Sequence, residues 1–201
     1  MSHESRTKMV RSAASLIRTR GVNATSFSEV VADSGAPRGS IYHHFPQGKE
    51  QLAGDAIQWT SDRVLAHMRT CPATTPSGVL DWFMDMWRQV VIASGGAAGC
   101  VVAGVAIDTM PDARSLMALV HTAFQSWVEL LARQLEAAGV PQPHSRSVAL
   151  ATLAGMEGAL ILCRAEQSVR PLETVAAQLR LLLPAEDPPK RIRRAGRPST
   201  R

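Results

Sequence analysis

Cysteine is scarce in this 201-residue sequence, and the three present, Cys71, Cys100 and Cys163, are odd in number and far apart. That usage fits a reducing compartment and leaves no zinc-type C-x-x-C pair, so each reads first as a small apolar filler. Redox sensing by Cys100 is the alternative, and it would need an exposed thiolate. Long apolar runs are missing too. No uninterrupted stretch reaches the ~18 residues of a membrane span, and Met1 to Arg6 has no secretory apolar core behind it. A cytoplasmic protein with no membrane partner is expected. The sequence also lacks a nucleophile elbow, paired carboxylates and metal-ligand spacing. Its glycine cluster Gly95-Gly96-Ala97-Ala98-Gly99 follows no strand and no G-x-x-x-x-G-K-[ST] pattern, which argues against phosphate cradling. No catalytic residue, no metal and no cofactor is therefore expected. A net positive charge is missing from most of the chain: the last twelve residues hold six basic and no acidic side chains, leaving −1 of the net +5 for the rest.

What is present is one compact signal. Thr25 or Ser26 offers a side-chain oxygen to the free amides of a first helical turn, and Phe27, Val30, Val31 and Ser34 then share one face. Gly35 follows, where a tight turn needs positive φ, and Pro37 is pre-set in φ to open another helix. In that second helix Ile41 and Phe45 point to a core, leaving Arg38, Gly39, Ser40, Tyr42, His43 and His44 on the other surfaces. This pattern predicts a helix-turn-helix. Its second helix would enter the DNA major groove with Arg38 addressing guanine and Ser40 either edge type, while Tyr42, His44 and Lys49 hold phosphates. A merely solvated polar face is the competing reading. The first 50 residues carry seven Lys or Arg against four acidic side chains, so local placement must supply the DNA attraction. The proposed DNA contacts are Thr25, Ser26, Arg38, Gly39, Ser40, Tyr42, His43, His44 and Lys49.

The run from Thr25 to Leu52, with Gly35, Ile41-Tyr42-His43-His44-Phe45 and Gly48-Lys49-Glu50-Gln51-Leu52, resembles the DNA-binding domain of TetR/AcrR-family transcriptional repressors. The wording Gly-Ala-Pro-Arg-Gly-Ser-Ile-Tyr-His-His-Phe-Pro is similar to the subgroup typed by LmrA and YxaF. Gly99-Cys100-Val101-Val102-Ala103 echoes a Gly-Cys-Pro-Val-Ala stretch of that subgroup, with Val102 in place of the proline. Ala36-Pro37 stands where the wider family commonly has a Ser or Thr cap. The resemblance implies an all-α homodimer of about nine helices per subunit. Its N-terminal three-helix helix-turn-helix domain would bind an operator, and its C-terminal helical ligand-binding and dimerisation domain would release DNA when a small-molecule inducer occupies it.

Apolar spacing and punctuation predict helices over 5–20, 48–69, 77–93, 101–109, 113–138, 145–166 and 171–183 around that unit. Residues 1–47 would form the DNA-binding domain, 48–184 the regulatory domain and 185–201 a basic tail with no fold of its own. In the tail, Gly196-Arg197-Pro198 resembles an AT-hook core, although Ala195 replaces the usual arginine; a solvated tail is the other reading. Ala151, Gly155, Gly158, Ala159 and Leu162 make a stripe of small side chains, and Val175, Leu179 and Leu182 belong to an apolar face on the next helix. These are expected to build a two-fold, four-helix interface, with intramolecular core as the alternative.

Trp59, Trp82, Phe83, Trp87, Met110, Phe124, Trp127 and Met156 make the second domain rich in aromatics and methionine, with Cys100, Asp108, His121 and Glu157 among them. Each alone reads as core packing; as a set they suit a pocket for an apolar or amphipathic ligand. Three function classes compete: a ligand-responsive repressor, a DNA-binding regulator without an inducer, and an enzyme, the last without a supporting motif.

Overall fold

The computed structural model describes residues 2–37, 39–109 and 113–185, and these contain nine helices and no strand. α1 (Ser2–Arg20) buries Met9, Val10, Ala13, Ala14 and Ile17, the face its three- and four-residue spacing sets. Against it lie α2 (Phe27–Ser34) and α3 (Ser40–His44), closing a small core through Val30, Val31, Ile41 and Phe45. The Ser12 hydroxyl donates to the Val30 carbonyl (3.3 Å), tying α1 to α2 inside that core.

α4 (Gly48–Arg69) is the long strut of the molecule, packing on α1 along one side and on α7 (Arg114–Ala137) along another. α5 (Pro76–Ala93) starts on a Thr75 cap with proline in its first turn, as helix starts favour. α6 (Val101–Asp108) is short and wedged against α1, α4 and α7. α8 (His144–Glu166) packs between α7 and α9 (Arg170–Arg180). By length and hydropathy α8 would suffice to cross a membrane, yet 44% of that stretch is buried inside the protein. Most expected boundaries fall within three residues of those found. The recognition helix differs: it begins at Ser40 and not at Pro37, after a Gly39 cap that offers no side-chain hydrogen bond. With no Ser or Thr before it, the first turn is satisfied from Pro37, whose carbonyl accepts both the Ser40 amide (3.0 Å) and hydroxyl (2.7 Å).

The two halves meet where α1 ends. Gly21 terminates α1 at φ +81°, and a Cβ there would stand 2.0 Å from an Asp108 carboxylate oxygen of α6. Both backbone and space therefore demand glycine. Next to it the Gly99 amide donates to the Arg18 carbonyl (2.8 Å), and the Asn23 side-chain amide donates to the Asp108 carbonyl (3.1 Å). Gly21→Ala should lower stability by about 1 to 2 kcal/mol, from left-handed strain plus the displaced carboxylate. Urea unfolding would read this; an unchanged midpoint would show that α1 does not need that approach.

Candidate functional site

The reading unit is built from local signals. Ser26 caps α2: its hydroxyl accepts the Glu29 amide (3.2 Å), and the Glu29 carboxylate accepts the Ser26 amide (2.9 Å), a reciprocal capping box. Those hydrogen bonds, the Ser26 backbone one foremost, hold the Glu29 carboxyl below its ordinary pKa. Arg20 pairs with Glu29 across the turn (2.8 Å). α2 ends at Gly35 with φ 66°, the left-handed conformation that closes a helix and turns the chain toward α3.

On α3, Tyr42 is 69% exposed and its ring meets Phe27 edge-on with centroids 5.5 Å apart, so α2 steadies a side chain that otherwise faces solvent. His43 is exposed and His44 half-buried, their rings 5.5 Å apart, and Gly39 has open space above its Cα. Behind them the Arg6 guanidinium lies over the buried Phe45 ring (5.5 Å) while pairing with Asp55 of α4 (2.5 Å). Lys49 sits on the first turn of α4, its ammonium donating to the Asn23 carbonyl (3.0 Å) beside the start of α2. The structure thus brings Ser26, Gly39, Ser40, Tyr42, His43, His44 and Lys49 into one unit. Thr25 differs: it is buried, and its hydroxyl donates to the Gly21 carbonyl (2.7 Å) inside the α1–α2 turn. Arg38 lies outside the described residues, as do Met110 and residues 186–201 of the tail.

The residues expected around a ligand do not form one pocket. Phe83, Trp127 and Met156 are buried core, Phe124 packs edge-on against Trp127, and the Trp127 indole donates to the Ser61 hydroxyl (3.2 Å). Trp82 stacks on the His67 ring at 4.8 Å and donates to the His67 carbonyl (3.2 Å), on the side of α5 that faces α9. His121 is exposed on α7. Large aromatics fill cores first, and here most do.

The others gather at two cavities that share Arg18. One, of about 330 Å³, lies between α1, α4, α5 and the start of α6, and holds Trp59 and Trp87 together with Arg18, Thr60, Arg63 and His67. The second, of about 300 Å³, holds Cys100, Asp108 and Glu157 between α1, α6 and α8. Burial raises the Glu157 carboxyl to about 7, with the Cys100 thiol as a hydrogen-bond partner pulling the other way. Burial and that carboxyl push the Cys100 thiol well above its ordinary value, so it is held as a thiol, against the redox reading. Arg18, Thr60, Arg63 and His67 escaped the sequence reading, although Arg11 and Arg18, and Trp59, Arg63 and His67, recur at helical spacing on the faces that meet here.

The residues expected at a dimer contact also divide. Ala159 and Leu179 are buried within the subunit, and a Cβ on Gly155 would touch Val175 (3.1 Å) and Leu179 (3.5 Å) of the same chain, so this part of the stripe serves the α8–α9 contact. Ala151 and Val175 are half-buried on the same side. Gly158, Leu162 and Leu182 stay exposed. The free face of α8 runs one position over, through Leu150, Ala154, Gly158, Ile161 and Ala165, and Leu181 beyond α9 is exposed as well.

Comparison with known proteins agrees with this geometry. Residues 10–56 match the model of bacterial regulatory proteins of the tetR family, and residues 76–178 match the C-terminal domain of LmrA/YxaF-like transcriptional regulators. An HTH-type transcriptional regulator of Mycobacterium tuberculosis is 37% identical over 188 residues, covering 91% of this chain and 96% of its own. The HTH-type transcriptional regulator LmrA of Bacillus subtilis is 26% identical over 84% of this chain and 91% of its own. The crystal structure of a TetR transcriptional regulator from Legionella pneumophila superposes with a TM-score of 0.78 at 24% identity, over 88% of this chain and 96% of that one.

Proposed function

The chain belongs to the TetR family of DNA-binding transcriptional regulators, a non-enzymatic family, and carries an LmrA/YxaF-like C-terminal domain, and from that premise we propose that it is a cytoplasmic, homodimeric repressor released from a palindromic operator by a small apolar or amphipathic inducer. The observation that carries the reading is α3 itself, which presents Ser40, Tyr42 and His43 outward while Ile41 and Phe45 fix it from behind. A single short helix reads few base pairs. Two copies related by a two-fold axis would read half-sites about 34 to 36 Å apart, which is where dimerisation gains its affinity. The exposed apolar stripe on α8 suits that pairing.

The inducer is assigned to the cavity at Trp59 and Trp87 because its walls come from both halves: α1 belongs to the reading unit, and α4 and α5 to the regulatory half. A ligand there changes the seating of α1, and with it the spacing of the two recognition helices. A regulator without an inducer is the second reading, and it would require this cavity to be inert.

Selection from randomised duplexes should enrich a palindrome, and recovery of none would refute the model. On the selected operator Arg38→Ala should cost about 1 to 3 kcal/mol and relax preference at one base pair per half-site. Lys49→Ala should weaken operator and random DNA alike and shallow the salt slope by about one charge per subunit. Equal losses on both duplexes for both variants would remove Arg38 from base reading.

A further inference from the structure

We propose that the cavity between α1, α4, α5 and α6 is an anion site selective for small aromatic carboxylates, with Arg18 and Arg63 receiving the carboxylate and Trp59 and Trp87 flanking the ring. The proposal rests on the inducer cavity argued above and adds the chemical class of its ligand.

Six buried side-chain polar atoms among the described residues have no hydrogen-bond partner: Arg18 Nε, Thr60 Oγ1, His67 Nε2, Trp87 Nε1, Thr152 Oγ1 and Glu157 Oε1. The first four all belong to residues lining this one cavity. Thr60 and Trp87 are both more than nine-tenths buried, so their orphaned atoms can be satisfied only from within. The arginine and indole N–H groups are donors alone, and threonine and histidine can donate as well. Four unpartnered polar atoms thus stand in the walls of this one cavity, a lining suited to a ligand that brings acceptors. Elsewhere in the same core a comparable group is satisfied, as when Trp127 finds Ser61.

Charge narrows the class further. Arg11, Arg18 and Arg63 line the cavity with His67, and no aspartate or glutamate does. None of the three arginines appears in an ion pair among the described residues. Asp108 and Glu157 stand at the second cavity, which shares Arg18, and Asp33 stands in a neighbouring surface hollow with Arg11 and Trp59. Burial weighs against the charge on Arg18, Cys100 partly offsets it and the neighbouring Arg63 adds to it, an arrangement that an incoming anion relieves and an incoming cation worsens. The ring is accommodated by Trp87 and by Trp59, on whose indole the Arg63 guanidinium already lies at 5.0 Å. A cavity of about 330 Å³ holds one or two fused rings with a carboxylate.

The test compares three probes of one shape, 1-naphthoate, 1-naphthamide and 1-naphthylmethylammonium, on the full-length protein by equilibrium dialysis and tryptophan fluorescence. The carboxylate should bind at least tenfold more tightly than the amide, the ammonium should not bind, and the preference should vanish in Arg18→Met. Arg63→Met provides a second variant at an exposed position if Arg18→Met fails to fold, and should weaken the carboxylate alone. Equal binding of acid and amide, no binding of the acid at millimolar concentration, or unaltered acid binding in the variants would overturn the proposal. Operator release is scored separately. Selective acid binding with unchanged DNA affinity would uphold the anion site and refute the induction model. Release by the amide or ammonium with no acid preference would do the reverse.

Discussion

Ile161→Asp should convert the proposed homodimer to a monomer in sedimentation velocity and lower operator affinity by about 100-fold, with little change in the melting of the isolated subunit. The argument begins with exposure: Ile161 is 60% exposed in the single chain and lies on the free stripe of α8 with Leu150, Ala154, Gly158 and Ala165. A side chain that open contributes little to its own subunit. At a two-fold contact each substitution counts twice, placing two like charges in an apolar seam. DNA then loses the effective concentration by which a first bound half-site holds the second near its target. Ile92→Asp, on α5 and 49% exposed, is the matched control and should remain dimeric. A dimeric Ile161→Asp with full operator affinity would move the interface elsewhere.

Glu157→Gln should raise stability at pH 8 by roughly 3 kcal/mol and flatten its pH dependence. The folded carboxyl titrates at about 7 because it is buried, whereas in the unfolded chain it titrates near ~4.3. The folded state therefore holds a proton that the unfolded state has released throughout that interval. Stability falls as pH rises from about 4.3 to about 7 and then levels off, since a folded pKa above the unfolded one makes alkali the unfavourable direction. A shift of that size corresponds to the stated energy, to order of magnitude. The glutamine cannot ionise, so its stability should follow the wild type near pH 4 and exceed it above pH 7. Urea titrations at pH 5 and pH 8 measure this, and parallel wild-type and variant pH profiles would refute it.

The sequence made the helices legible because each one is fenced by chemistry: a serine cap before Phe27, a left-handed glycine after Ser34, prolines around Thr75, and glycine after Ala138. It was less informative where two outcomes share one pattern. Ala151, Gly155 and Ala159 announce a close helix partner, but small residues at three- and four-residue steps look the same whether that partner is the chain's own α9 or a second subunit. The aromatic inventory misled in a related way. Tryptophan and phenylalanine mark both cores and pockets, and what separates Trp87 from Trp127 is whether the indole N–H finds a hydroxyl, a fact of tertiary geometry. Arginine at position 18 looked like part of a DNA-facing surplus of charge. Only the turn of α1 toward α4 reveals a cation facing inward.

The bond from the Gly99 amide to the Arg18 carbonyl, beside the close fit of Gly21 on Asp108, has a consequence for protein engineering. A chimaera spliced at Gln47 would transplant operator choice but sever the joint assigned to the proposed inducer response, because the joint belongs half to each parent. Grafting only 25–47 keeps Arg18 and Gly21 with their native seat. Such hybrids should answer the original effector at a foreign promoter, while exchanges that include α1 should yield regulators deaf to it.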